Sequence, residues 1–142
     1  MIIKKQAVEK MWKLNTYSDE EFGGVLGSTD NQIIDVIQFD VMSVHNAYSY
    51  SPNTKYLNAI LLEWNQRGIV FMGVFHSHLF GIKQLSEKDK CYIKRILSSI
   101  QAENTTLYFP ILVLPSQEII TYAGKKSSDG ITIFKEDVKI IP

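Results

Sequence analysis

Several things are nearly missing from this chain of 142 residues, and each absence excludes something. There is one cysteine, Cys91, so no internal disulfide forms and no Cys-rich zinc site can be built. Any metal must be held by histidine and carboxylate, and the lack of a disulfide framework points to a reducing compartment. Net charge is absent too: 15 Lys+Arg balance 15 Asp+Glu. No more than two basic residues stand side by side, which removes the footprint of a dedicated nucleic-acid binder. No apolar run approaches the roughly 20 residues of a membrane span, the longest being FPILVLP. The start, MIIKKQAVEK, lacks the about 7 to 15 apolar residues of a secretory signal core. The expectation is a cytoplasmic protein without membrane contact. With no repeat or low-complexity tract, residues 1–142 read as one domain, long enough to bury roughly 70% of its unfolded surface.

What is present alternates between helical and extended patterns. Ile3, Ala7, Met11 and Leu14 recur at helical spacing until the polar NTYSD stretch. Gly23 and Gly24 open a strand, GGVLGS, that runs to a turn at Asp30 and Asn31; QIIDVIQFD reads as the next strand. Pro52 and Asn53 start a helix with Leu57, Ile60, Leu61 and Trp64 on one face. IVFMGVF suits a central strand buried on both faces. It ends in His-Ser-His, and a loop then leads to a helix N-capped by Ser86, with Ile93, Ile96, Leu97 and Ile100 along one side. Three strand-like runs follow, LYFPILVL, EIITYA and ITIFK, the last two separated by GKKSSDG. Pro110 lacks a backbone donor and so favours an edge or a bulge. This order predicts an α/β fold, a mixed sheet packed by helices.

The chemistry concentrates where the central strand ends. His76 and His78 leave one face of an extended chain with Cα atoms about 6.5 Å apart, close enough for both imidazoles to reach one zinc ion. Asp89, in the first turn of the next helix, can return as an oxygen ligand, leaving a fourth position for water as in catalytic sites. Each residue also has a plainer reading: histidines at strand ends are often only exposed, and S-x-x-D before an apolar-periodic helix is a capping signal. Together they are harder to dismiss. At this chain's own residue frequencies, H-x-H, seven residues, S, two residues, D arises by chance in roughly two of ten thousand such chains.

His76-Ser77-His78, the seven residues LFGIKQL, Ser86 and then Asp89 resemble the JAMM motif of the JAB/MPN metalloprotease family. EEFGGVLGS resembles the family's first strand and places its glutamate at Glu21, with Glu20 the adjacent alternative that fits less well. NAYSYSPNTKY and MGVFHSH are similar to its flanking segments, so the resemblance spans roughly residues 21 to 122. It implies a JAB/MPN fold (cytidine-deaminase-like), a single Zn2+ held by His76, His78 and Asp89, Glu21 as general base, and Ser86 supporting the oxyanion. Leu79 stands where family members commonly carry proline, so contacts made by the loop Leu79 to Leu85 do not transfer. A second zinc site of the linkage-specific enzymes is not expected with only Cys91 and His45 to spare; Cys91 is expected to pack inside its helix, and His45 to be structural or exposed.

The expected activity is therefore zinc-dependent isopeptidase or peptidase cleavage after the C-terminal tail of a ubiquitin-like or sulfur-carrier protein, with an E1-like activating system as an associated partner. Such a tail is expected to add a strand beside a sheet edge, since the ligands end a strand. The alternative is a non-catalytic MPN-type scaffold, which the retention of all five site residues disfavours. A zinc deaminase needs a later P-C-x-x-C, and one cysteine excludes it.

Overall fold

A computed structural model describes residues 1–13, 20–46 and 49–142, with residues 44–46 and 49 described by their backbone alone. The elements run β1 (Ile2–Lys4), α1 (Lys5–Trp12), β2 (Gly23–Ser28), β3 (Ile33–Ile34), β4 (Val36–Phe39), β5 (Val44–Asn46), β6 (Ser49–Ser51) and α2 (Thr54–Gln66). After these come β7 (Val70–His78), α3 (Glu87–Ser99), β8 (Thr105–Val113), β9 (Glu118–Ser127), β10 (Gly130–Glu136) and β11 (Lys139–Ile141). Six strands form a mixed sheet in the order β10-β9-β8-β7-β2-β4, parallel between β7 and β8 and antiparallel elsewhere. β11, β1 and β3 make a small parallel sheet, and β5 pairs with β6.

The alternation of side chains sorts the core into two layers. On one face of the large sheet, Val25, Val74, Phe109, Ile111 and Val113 pack against Leu57, Ile60 and Trp64 of α2 and Tyr92, Ile93 and Leu97 of α3. On the other, Leu26, Phe75 and Leu112 pack against Ala7, Val8 and Met11 of α1 and Ile3 and Ile34 of the small sheet. β7, the third strand from the β4 edge, is thus buried on both sides, as its apolar run predicts.

One irregularity fixes the orientation of its end. Leu26 pairs with Gly73 but Gly27 pairs with Phe71, so Met72 is an extra residue in β7. A bulge reverses the in–out phase of everything beyond it. Phe71 and Val74 therefore both face α2 and α3, and so do His76 and His78. Glycine is required at the bulge: residue 73 has φ +146°, and a Cβ there would lie 1.8 Å from the Tyr108 carbonyl oxygen.

The structure corrects several expectations. Ile2–Lys4 is a strand, so the helix starts only at Lys5; Leu14 and the NTYSD stretch lie outside the described residues. QIIDVIQFD is two strands: β3 joins β1, and after Asp35 β4 joins β2. Asp35 accepts from the Thr29 N–H, which fastens the switch between sheets. β9 continues through GKK to Ser127, leaving Ser128 and Asp129 as the turn. Pro110 lies in an interior strand, between β7 and β9; the β7 ladder pairs Gly73 with Tyr108 and His76 with Ile111 but forms no pair at the proline.

Candidate metal centre

The site forms where the C-terminal end of β7 meets the first turn of α3. Ser86 is the helix N-cap: its Oγ accepts from the Asp89 N–H at 3.0 Å, and Asp89 Oδ2 accepts from the Ser86 N–H at 2.9 Å. The capping reading of S-x-x-D is therefore correct, and it is also what aims the carboxylate. Held by this box, Asp89 Oδ2 lies 3.1 Å from His78 Nε2 and 3.3 Å from His76 Nε2, and the two Nε2 atoms are 2.9 Å apart. Four-coordinate zinc with bonds of about 2.0 to 2.1 Å sets neighbouring ligand atoms about 3.3 Å apart. The triangle nearly has those dimensions, so this buried group can hold a metal ion.

The remaining ring nitrogens are also engaged. His78 Nδ1 lies 3.1 Å from the Ile82 carbonyl oxygen, which can only accept and so fixes the proton on Nδ1. His76 Nδ1 is 3.0 Å from the Tyr92 hydroxyl. The Tyr92 hydroxyl can donate to or accept from its ring nitrogen, and both contacts hold the rings with Nε2 toward the common point, the arrangement by which outer partners orient metal-binding histidines. Tyr50 stacks on His76 from the other side, with ring planes 14° apart, and its hydroxyl donates to Asp40 Oδ2 at 2.8 Å. Gly23 gives that ring room, since a Cβ there would come within 2.6 Å of it.

Burial and charge tune these groups. Burial holds His76 below the usual imidazole range despite the Asp89 hydrogen bond, favouring the neutral ring. At His78 burial pulls downward as well, but the hydrogen bond and charge of Asp89, with Glu21 and the Ile82 carbonyl, outweigh it and raise the pKa. Burial alone would raise Asp89; the hydrogen bonds from His76 and His78, the His76 charge and the Ser86 N–H instead hold it far below the ordinary carboxylate range. Glu21 is pushed up to about 7, first by burial, with Asp89 adding and His78 and Lys88 opposing.

Glu21, 6% exposed, lines a cleft of 330 Å³ with Tyr50, His78, Ile82, Ser86, Lys88 and Asp89. Glu20 is exposed. All five residues singled out in the sequence thus converge, Ser86 at the open side. Tyr92 and Tyr50 were not singled out; Tyr92 had a signal in its i+3 position from Asp89, on the same helix face, whereas Tyr50 had none. Cys91 corrects an expectation: it is exposed, because two residues beyond Asp89 a helix has turned to its far side. The His45 side chain lies outside the described residues. β7 is interior, between β2 and β8; among the described residues the edges of the large sheet are β4 and β10.

No protein-family model and no curated protein matches the sequence. Solved structures do. The protein DSY2949 from Desulfitobacterium hafniense, solved in solution, is 19% identical over 99% of this chain and 93% of its own, with a TM-score of 0.68. AF2198 from Archaeoglobus fulgidus, described as a JAB1/MPN domain protein, is 13% identical over the whole of both chains, with a TM-score of 0.52. At these identities the likeness concerns the fold, and it supports a JAB1/MPN-like architecture for this chain. No helix among the described residues is long and apolar enough to cross a membrane.

Proposed function

We propose that this chain is a zinc-dependent peptidase or isopeptidase that hydrolyses the amide after the C-terminal tail of a ubiquitin-like or sulfur-carrier protein. The observation that carries it is the convergence of His76, His78 and Asp89 on one point, with His78 and Asp89 lining a cleft that Glu21 also lines. These three side chains would hold the ion, and the donor set of two neutral imidazoles and a carboxylate suits zinc. When bound, zinc supplies a water of pKa near 7 and Lewis acidity toward a carbonyl.

The chain's own groups do the rest. Glu21 accepts the proton of the attacking water and passes it to the departing amine, in a carboxylate environment poised near neutrality. A bound dication would draw the Glu21 pKa down and favour the ionised base at pH 7. Ser86 Oγ already accepts from the Asp89 N–H, which leaves its own proton free for the developing oxyanion. Tyr92 and the Ile82 carbonyl keep the imidazoles aimed.

The test is incubation of purified protein with a panel of ubiquitin-like fusions, with chelator and with zinc restored. Cleavage after a terminal Gly-Gly that chelator abolishes and zinc restores is the expected result. Metal bound at full occupancy with no fusion cleaved would overturn the reading and leave the MPN-type scaffold in its place.

A further inference from the structure

The neutral charge sum conceals an uneven distribution. α3 carries Lys88, Lys90, Lys94 and Arg95, while of its two acids Asp89 is buried and only Glu87 is exposed. On the side toward β10, α3 borders a groove of 580 Å³ lined by Lys90, Lys94 and, from the edge strand, Lys135; none of the residues lining it is acidic. Lys90 pairs with Glu87 at 3.2 Å across one turn, and all three side chains line the open groove above a floor that includes Tyr122, Ile131 and Ile133. Gln84 and Leu85 line both this groove and the metal-site cleft, so the two adjoin. Lys88 stands in the cleft, and with Arg95 it borders a second groove on the opposite flank of α3.

We propose that the α3–β10 groove seats an acidic surface of the protein substrate whose tail enters the cleft. This rests on the proposed hydrolase reading and adds the chemistry of recognition. A tail lying in the cleft is tethered to a folded body just outside it, and the adjoining surface of this chain is cationic around an apolar floor. Charges at such a rim act through encounter rate and salt dependence, so an acidic body is selected over a basic one without any change in the reaction itself. The adjacency to the cleft across Gln84 and Leu85 favours a protein over a nucleic acid as the occupant.

The experiment measures anisotropy of labelled ubiquitin-like proteins ending in Gly-Gly, graded from basic to acidic, against wild type and the triple variant Lys90→Glu, Lys94→Glu, Lys135→Glu. Binding is read at about 0.05 and 0.5 M salt, alongside cleavage of the matching fusions and binding of a single-stranded RNA. A control carrying Lys5→Glu, Lys55→Glu and Lys139→Glu, at three exposed positions away from the groove, makes the same change in net charge. Acidic members are expected to bind best, and the triple variant to weaken them by roughly tenfold at low salt with zinc content unchanged. High salt should remove the difference. Affinity within twofold of wild type in the triple variant would overturn the proposal, as would RNA binding of equal strength lost in the same variant. Binding as expected without cleavage of any fusion would uphold the surface and sink the hydrolase reading instead.

Discussion

Replacing Glu21 by glutamine should sharply reduce turnover and, in the metal-free protein, increase stability. Glu21 is 6% exposed, and burial raises its pKa from 4.5 to about 7. A folded-state pKa above the unfolded value means that folding favours the protonated form. The group imposes no penalty at pH 4, a growing one as pH rises between 4.5 and about 7, and a constant one beyond. The full rise corresponds to a ceiling of about 3 kcal/mol; water in the open cleft screens the charge, leaving roughly 2 kcal/mol. Glutamine keeps the shape and removes the ionisation. In chelator-treated protein at pH 8, Glu21→Gln should therefore melt about 5 °C above wild type, and at pH 4 the two should coincide. Restoring zinc should narrow the gap, because the ion stabilises the carboxylate. Turnover should fall by at least about a hundredfold, the lower range for loss of a general base. Thermal unfolding at the two pH values is the assay. A difference that does not vary with pH, or a variant less stable than wild type at pH 8, would refute the reasoning from burial; near-full activity would remove Glu21 from the chemistry.

Asp89→Ala should lose the metal and the Asp89 half of the capping box while the Ser86 cap persists, whereas Asp89→Asn keeps an acceptor for the Ser86 N–H. Metal analysis should show occupancy reduced in both, with about 1 kcal/mol more stability retained by the asparagine variant; full occupancy in either would refute the ligand assignment. Tyr92→Phe removes the partner of His76 Nδ1 and should weaken zinc binding roughly tenfold in a competition titration, with the fold intact by circular dichroism. Gly73→Ala forces a methyl against the Tyr108 backbone in a left-handed conformation, and should cost at least about 3 kcal/mol by denaturant unfolding. A silent Gly73→Ala would mean that the bulge relaxes freely.

What could be read from the sequence was what is local. The apolar run of β7, the i, i+3, i+4 stripe of α3 and the cap at Ser86 are written in adjacent residues, and they suffice to bring His76, His78 and Asp89 to one end of the sheet. What escaped depends on distant partners. β1 and β11 are three-residue strands that exist only because they pair with each other, β1 pairing also with β3. QIIDVIQFD splits because its two halves find different sheets. Pro110 is tolerated inside the sheet because the β7 ladder makes no pair at that position. The basic strip of α3 was invisible to a search for consecutive lysines, since a helix gathers charges spaced three and four apart and Lys135 joins them from 41 positions further along the chain than Lys94.

The extra residue in β7 also makes the site a matter of odd and even. Before Met72, odd positions point toward α2 and α3; after Gly73, even ones do. Deleting one residue there would change no ligand and scarcely alter composition, yet it would turn both imidazoles into the layer of Met11 and Leu26 and carry Ser77 to the face they left. Asp89, fixed to the opposite layer by its helix, would have nothing to meet. Sequence variants of this strand should accordingly be judged first by their count and only then by their chemistry.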